Sequence, residues 1–225
     1  MTVLFRAGWP HIWLPYAQMK TVPEPLPVAR TKGCRIILED GRELIDGMAS
    51  WWSACHGYNH PHIIDAMERQ LRTMPHVMFG GLAHAPAFTL AERLAAITPE
   101  GLNRVFFSDS GSTSVEVALK MALQYWRNQG EQSKSKFICL RDGYHGDTLG
   151  AMAISDPEGT LHKPYAGITY PQHVVGLPPD ESVFAELAED SAALIVEPLV
   201  QGAGGMKFHS AETLTTLYRL CKEHN

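Results

Sequence analysis

A run of serines around one glycine, Ser108–Ser114, has the composition of an anion-binding loop. It follows the short apolar segment 104–107 and precedes a helical pattern. A small-residue loop at a helix N-terminus offers free backbone N–H groups and the positive end of the helix dipole to a phosphate. Gly111 would let the backbone approach such an anion, and the hydroxyls of Ser110 and Ser112 could add hydrogen bonds. An ordinary serine N-cap has the same composition, so the loop alone leaves both interpretations open.

Two further groups with chemical potential follow predicted strands. Gly143–Gly146 comes directly after strand 136–140, and Tyr144 could stack on a flat cofactor ring. Glu197 ends strand 193–197 and precedes a glycine-rich turn. Each also has a purely structural explanation when taken alone: Tyr144 could fill a corner of the loop, and Glu197 could simply end its strand. Because ligands of open α/β sheets bind beyond the carboxyl ends of strands, we expect them at one crevice. With the serine loop they favour an aromatic phosphorylated cofactor over a dinucleotide, since no strand leads into GxGxxG.

These groups need a sheet to position them, and from residue 86 onward helices alternate with short apolar strands. Helices are predicted from near residue 86, over 115–126 and over 211–222, and strands over 104–107, 136–140 and 193–197. The pattern predicts an α/β fold with a mainly parallel sheet. A parallel strand followed by a helix requires a further strand. We therefore expect the large domain to continue beyond Asn225.

The N-terminal part has a different pattern. Prolines and aromatic residues in the first thirty positions predict an arm rather than one long helix. Asp40-Gly41 between two short apolar runs predicts a hairpin, and Pro61 stands where a helix would begin. We accordingly predict an arm and hairpin of a smaller domain over 1–55, and the first part of a large domain over 56–225.

Composition excludes several classes of protein. The 225 residues carry a formal net charge of -5, which disfavours nucleic acid as a partner. No apolar run has the length of a membrane span and the N-terminus has no signal-peptide pattern, so we expect a cytoplasmic protein. The four cysteines are widely spaced, which favours reduced thiols. His60 and His62 come closest to a metal-ligand pair but have no third ligand at suitable spacing, so we expect no metal.

Five segments resemble consecutive landmarks of the class III, fold-type I aminotransferases. They are DGMASWWSACHGYNHP, HVMFGGLAHAPA, FFSDSGSTSVEVALKMALQYW, RDGYHGDTLGAM and IVEPLVQGAGGM. The resemblance extends from about His11 to the last residue, and the double tryptophan and HVMFGG resemble the diaminopelargonic acid synthase branch. It implies a fold-type I large domain and pyridoxal 5'-phosphate as cofactor. In the family pattern, Gly111 and Ser112 hold the cofactor phosphate, Tyr144 stacks on the ring and lines the substrate pocket, and Glu197 is an acid near the ring.

The resemblance also implies substrate-binding residues and a reaction. Trp51 matches an aromatic substrate wall, and Tyr16 matches a tyrosine that recognises the keto substrate and supports catalysis; simple packing is the alternative for both. The implied reaction is a two-stage transfer of the amino group of S-adenosylmethionine to 8-amino-7-oxononanoate, giving 7,8-diaminononanoate for biotin. The implied assembly is a homodimer.

The family pattern places the Schiff-base lysine and a substrate-binding arginine after residue 225. Lys120 and Lys207 stand in no matching context, so we expect the chain to be inactive alone. Two alternatives stay open. One is another class III ω-aminotransferase that acts on ornithine, a diamine or a β-amino acid, and the other is a non-catalytic fragment.

Overall fold

The computed structural model describes residues 3–156, 158–159 and 162–224. Contacts along the backbone divide the chain into two compact units, Met1–Leu90 and Ala91–Asn225. The division into an arm with a hairpin over 1–55 and a large domain from 56 stays a prediction.

The first unit contains a small antiparallel sheet. A short helix, α1 (Val3–Gly8), and one 3-10 turn precede it. Its strands are paired in the order β1-β2-β3, and they are β1 (Val28–Lys32), β2 (Arg35–Leu38) and β3 (Glu43–Ile45). The turn between β2 and β3 is closed by a hydrogen bond of 3.0 Å from the Gly41 N–H to the Leu38 carbonyl, and Gly41 has a φ of 86°. The predicted hairpin at Asp40-Gly41 is therefore confirmed, whereas β1 was not predicted.

Two helices follow the small sheet. The first, α2 (Pro61–Thr73), begins at the proline that the sequence marked as its start. Proline fits there because its missing N–H would have no partner in the first helical turn. The second, α3 (Ala85–Ile97), confirms the helix predicted from near residue 86.

The second unit is built on a parallel sheet with the strand order β5-β4-β6. Its strands are β4 (Lys136–Leu140), β5 (His173–Val175) and β6 (Ser191–Leu194). Four consecutive residues of β4, from Phe137 to Leu140, are buried. A parallel strand covered on both faces is apolar throughout for this reason, so the central strand could be predicted from KFICL.

The remaining elements pack around this sheet. The helices are α4 (Gly111–Asn128), α5 (Leu149–Ala153), α6 (Glu181–Ala188) and α7 (Ala211–His224), and a two-stranded ribbon consists of β7 (Val200–Gln201) and β8 (Lys207–Phe208). One core cluster joins Leu119 of α4 to Phe137 and Cys139. The other joins Ile138 and Leu140 to α6 and α7. Among the described residues, no helix combines the length and the apolar character that crossing a membrane requires.

Two strand predictions need correction. Residues 104–107 form no strand, because none of β4, β5 and β6 pairs with them and a strand needs a hydrogen-bonded neighbour. Phe106 in this segment is exposed. The strand predicted over 193–197 begins two residues earlier, at Ser191, and ends at Leu194. The helix predicted over 115–126 begins at Gly111, since Ser110 caps it.

Candidate active site

The serine loop forms the N-terminus of α4. The Ser110 hydroxyl accepts a hydrogen bond of 3.1 Å from the Thr113 N–H, and the Ser110 carbonyl accepts one of 2.9 Å from the Ser114 N–H. Within the described parts of the chain, the N–H groups of Gly111 and Ser112 donate to no partner. A Cβ added at Gly111 would have no atom within 4 Å. The helix therefore presents two unused donors and its positive end to an open space, which fits a phosphate group.

Ser112 also fixes the loop that follows β4. Its hydroxyl oxygen accepts a hydrogen bond of 3.2 Å from the Asp147 N–H. Gly146 has a φ of 127°, and a Cβ added there would lie 2.8 Å from the Ser112 Cβ and 3.0 Å from its Cα. Only glycine allows this conformation and this close approach. The Gly-Tyr-His-Gly motif is thus positioned directly against the serine loop.

A second contact anchors the same loop one helical turn further along α4. The Gly150 N–H donates a hydrogen bond of 2.7 Å to Oε1 of Glu116. A Cβ added at Gly150 would lie 2.8 Å from the Glu116 carboxyl carbon. Ser112 and Glu116 lie on one face of α4 because residues four apart are neighbours on a helix. Together they hold residues 146–150 against the start of the helix.

Tyr144 is fixed at both its backbone and its ring. Its hydroxyl donates to Oδ2 of Asp147 at 2.8 Å, and its N–H donates to Oε2 of Glu197 at 3.1 Å. Its ring stacks on the imidazole of His162, with centroids 5.5 Å apart and planes 24° apart. Nε2 of His162 lies 3.2 Å from Oδ1 of Asp147. The sequence pointed to Tyr144, but no pattern pointed to Asp147 or His162.

Glu197 joins two loops at the carboxyl ends of the strands. One carboxylate oxygen accepts from the Tyr144 N–H, and the other accepts from the Gly202 N–H at 2.9 Å. Its backbone carbonyl accepts from Nε2 of His209 at 2.8 Å. The carboxylate therefore binds backbone groups of both the loop after β4 and the glycine turn that precedes β8.

A cleft of about 400 Å³ lies beside Tyr144. It is lined by Asp142, Gly143, Tyr144, Asp156, Glu158, Gly159, His162, Ala203, Gly204 and Gly205. Gly204 approaches the Asp142 backbone so closely that an added Cβ would lie 2.9 Å from its carbonyl carbon. Lys207 forms an ion pair with the Asp142 carboxylate at this edge. The described residues contain no group of three or more His, Cys, Asp or Glu side chains arranged to hold a metal ion.

His145, between Tyr144 and Gly146, is turned into the protein. Burial lowers the pKa of its imidazole to about 4, so the ring is neutral at physiological pH. Nε2 has no hydrogen-bond partner among the described residues, and the backbone N–H donates to the Ser155 hydroxyl at 3.0 Å. The imidazole therefore fills the interior of the loop while Tyr144 lies at the cleft.

In the first unit, Tyr16 contacts Trp51 edge to face, with ring centroids 6.1 Å apart and planes at 77°. The two side chains are 66% and 67% exposed. Four consecutive residues, Ala49–Trp52, have positive φ angles, as does Tyr16. We call these four residues the aromatic turn. Left-handed backbone costs a residue other than glycine roughly 1–2 kcal/mol and persists only where other contacts enforce it.

Asp46 supplies contacts that hold the aromatic turn. Its Oδ1 accepts from the Met48 N–H at 3.0 Å, and Oδ2 accepts from the Ser50 N–H at 2.8 Å. The Tyr58 hydroxyl donates to the same Oδ2 at 2.5 Å. The hydrogen bond from Tyr58 and those from the backbone lower the pKa of Asp46 below its ordinary value.

Comparisons with known proteins identify the family of this chain. Residues 16–225 match the aminotransferase class-III family. The chain is 44% identical over 231 residues to the adenosylmethionine-8-amino-7-oxononanoate aminotransferase of Mycobacterium leprae, and the match covers 96% of this chain and 53% of that protein. The chain spans about half the length of the curated relatives it matches.

Solved structures share the fold. The adenosylmethionine-8-amino-7-oxononanoate aminotransferase of Methanocaldococcus jannaschii superposes with a TM-score of 0.92 and 30% identity, over 99% of this chain and 52% of that one. An amine transaminase from an uncultivated Pseudomonas species, in its PLP-bound form, gives a TM-score of 0.83 and 32% identity, over 95% of this chain and 53% of that one. The resemblance carried by the five sequence segments and the predicted α/β fold class are therefore confirmed. The chain belongs to the class III aminotransferases.

Proposed function

We propose that the protein carrying this chain transfers the amino group of S-adenosylmethionine to 8-amino-7-oxononanoate and so makes 7,8-diaminononanoate for biotin biosynthesis. The observation that carries the proposal is the similarity to relatives that bear the corresponding name, at 40–44% identity over 92–96% of this chain. Because these relatives are about twice as long, the activity is proposed for the whole protein rather than for this chain.

The proposed cofactor is pyridoxal 5'-phosphate, held at its phosphate by the start of α4. The N–H groups of Gly111 and Ser112 would bind phosphate oxygens, with the hydroxyls of Ser110 and Ser112 nearby to donate further hydrogen bonds. The open space at Gly111 and the unused donors support this assignment. When bound, the cofactor supplies an electron sink for charge that develops at the amino-bearing carbon.

Tyr144 would pack on the cofactor ring and line the substrate pocket. The Glu197 carboxylate would hold the Tyr144 backbone in place and contribute an acidic group near the ring. This is supported by the hydrogen bond from the Tyr144 N–H to Glu197 and by the open cleft beside Tyr144. A tyrosine whose backbone is already fixed loses little conformational freedom when it contacts a ligand, so its position favours binding.

Tyr16 and Trp51 would bind the substrates. An aromatic wall suits both, because a sulfonium cation is attracted to the face of an aromatic ring and the acceptor's alkyl chain is stabilised against apolar surface. The Tyr16 hydroxyl would bind the keto substrate and support catalysis. The exposed rings and the strained backbone of the aromatic turn support this role, since strain of this kind is concentrated at functional sites.

We further propose a homodimer and a cofactor-binding lysine outside this chain. Large apolar side chains are exposed in both units, among them Trp13, Ile97 and Phe106, and such exposure is typical of surfaces that a partner covers. Lys207 is engaged by the Asp142 carboxylate, and Lys120 lies on an exposed part of α4. Neither arrangement suggests a lysine prepared to react with the cofactor.

The test uses a protein of the relatives' full length that carries this chain, loaded with pyridoxal 5'-phosphate. We expect 7,8-diaminononanoate to form from S-adenosylmethionine and 8-amino-7-oxononanoate, as measured by mass spectrometry. Ornithine, a diamine and a β-amino acid serve as competing donors. Turnover with one of these, together with no product from S-adenosylmethionine, would overturn the assigned substrates in favour of another ω-aminotransferase.

The 225-residue chain should be measured beside it. We expect no visible absorption band that changes when S-adenosylmethionine is added to this chain with the cofactor. A band that bleaches with the donor would mean that a lysine of this chain reacts, and Lys207→Ala and Lys120→Ala would then identify which one.

A further inference from the structure

We infer that His162 is a positioning residue that fixes Tyr144 and the serine loop for the cofactor. The inference rests on the proposed function, because it assumes that pyridoxal 5'-phosphate binds at Gly111, Ser112 and Tyr144. It is carried by a closed set of contacts in the second unit. His162, Asp147 and Tyr144 each contact the other two.

The imidazole is buried although it belongs to a polar residue beside an open cleft. His162 is only 6% exposed, whereas the Asp147 side chain that it contacts is 53% exposed. An ionised carboxylate only accepts hydrogen bonds, so Nε2 of His162 is the donor to Asp147. Burial of a polar ring costs free energy unless its contacts compensate for it, and here they are the hydrogen bond and the stacked face of Tyr144.

Asp147 connects the imidazole to both proposed cofactor-binding elements. Its side chain accepts from the Tyr144 hydroxyl at 2.8 Å, and its N–H donates to the Ser112 hydroxyl oxygen at 3.2 Å. The hydrogen bond from His162 adds a contact that restrains the exposed Asp147 carboxylate in the orientation that accepts from the Tyr144 hydroxyl, and the stacked imidazole blocks a tilt of the Tyr144 ring toward its own side. His162 thus acts through Tyr144 and Asp147.

The experiment uses the full-length protein, freed of cofactor and titrated with pyridoxal 5'-phosphate while visible absorption is followed. We expect His162→Ala to raise the apparent dissociation constant about tenfold. His162→Phe keeps a stacked ring without the hydrogen bond and should give an intermediate increase. Circular dichroism and thermal melting of the cofactor-free variants check that each one folds.

His173→Ala is the matched control. His173 also contacts an aspartate through Nε2, at 2.6 Å from Oδ1 of Asp190, but it begins β5 at the opposite, amino end of the sheet. We expect this variant to lose stability without changing cofactor affinity by more than about twofold. An equal change in both alanine variants would reduce His162 to an ordinary structural residue and overturn the inference.

A double-mutant cycle tests the route of the effect. If His162 acts through Tyr144, the tenfold effect of His162→Ala should fall below threefold when Tyr144 is replaced by leucine, because residues in contact are not additive. Additive effects would overturn the positioning role. The cofactor titration requires neither substrate of the proposed reaction. A protein that shows the coupling between His162 and Tyr144 but makes no diaminononanoate would therefore refute only the proposed substrates. One that makes the product while His162→Ala binds the cofactor normally refutes only the inference, and one that binds no cofactor refutes both.

Discussion

The loops around Tyr144 and the aromatic turn are held in different ways. In the second unit, residues 143–150 are fixed by close contacts with α4 and by glycines that leave no room for a side chain. In the first unit, Ala49–Trp52 are held in a costly backbone conformation while the rings of Trp51 and Trp52 stay exposed. The loops around Tyr144 are held by close packing and hydrogen bonds against α4, whereas the aromatic turn is held by a hydrogen bond to Asp46 and leaves its aromatic rings exposed.

The contrast bears on what each region can do. A phosphate site needs donors that are already fixed, since donors that must reorganise bind a charged group less well. The start of α4 meets that need through contacts within its own unit. The proposed aromatic wall needs exposed ring surface in the free protein, and the aromatic turn has such surface at the expense of backbone strain. Three changes test this difference between the two regions, and they are given in order of decreasing effect on stability.

Gly146→Ala should have the largest effect. The new Cβ would lie 3.0 Å from the Ser112 Cα, and the φ of 127° is unfavourable for any residue except glycine. We expect the free energy of unfolding to fall by about 3 kcal/mol or more, as is typical of overpacking combined with backbone strain. Urea denaturation followed by circular dichroism measures the change.

Gly111→Ala is the control for this substitution. Gly111 directly precedes Ser112, and a Cβ added there meets no atom within 4 Å. The free energy of unfolding of the Gly111→Ala variant should change by less than about 0.5 kcal/mol, while its affinity for the cofactor should fall if the phosphate binds at this position. Similar losses of stability in both variants would contradict the close packing of the loop against α4.

The sequence identified the parts whose geometry follows from local chemistry. The central strand was predicted from KFICL because a strand covered on both faces is apolar throughout. The hairpin at Asp40-Gly41 followed from the residue types that this turn requires. The serine loop was recognised as preceding a helix because serine is preferred at an N-cap, and the structure shows that Ser110 is the cap and that the helix begins earlier than its apolar period suggested.

The rest depends on contacts between distant segments. His162 contacts Asp147 across fifteen positions, and no local pattern could reveal that pair. Glu197 binds the Tyr144 N–H across fifty-three positions; the strand pattern predicted that the two lie at one crevice but not that they form a hydrogen bond. Segment 104–107 has a strand-like composition but no partner strand in the sheet, and composition does not encode partners. The roles of Tyr16 and Trp51 came from family resemblance alone and stay predictions.

The second change is a lowering of the pH, which tests the hydrogen bonds that Asp46 accepts at the aromatic turn. Because hydrogen bonds lower the pKa of Asp46, its contribution to stability is complete above the ordinary value of 3.8 and is lost as the pH falls through the lower folded value. We expect an NMR titration to place the carboxyl below 3.8, with amide protection of Met48 and Ser50 decreasing over the same range. Tyr58→Phe removes the largest cause and should raise the pKa toward 3.8.

Asp40 provides the comparison within the same unit. Its pKa is also lowered, but by hydrogen bonds from the backbone and side chain of Arg42. Tyr58→Phe should leave the titration of Asp40 unchanged. If Asp46 titrates at its ordinary value in the unmodified protein, its contacts do not hold the turn and another source must maintain the positive φ angles.

Trp51→Ala should have the smallest effect on stability and a selective effect on use of the acceptor substrate. Trp51→Ala removes an exposed ring and one edge-to-face contact with Tyr16, so the free energy of unfolding should fall by only about 0.5–1 kcal/mol. In the full-length protein, with the proposed reaction as the assay, we expect about a tenfold loss in kcat/KM for 8-amino-7-oxononanoate. Trp52→Ala, in the same turn and 62% exposed, should cost as little stability without that loss. If Trp51→Ala and Trp52→Ala have the same kcat/KM for 8-amino-7-oxononanoate, the exposed ring of Trp51 does not bind the substrate. The positive φ angles of the aromatic turn would then have a cause other than substrate binding.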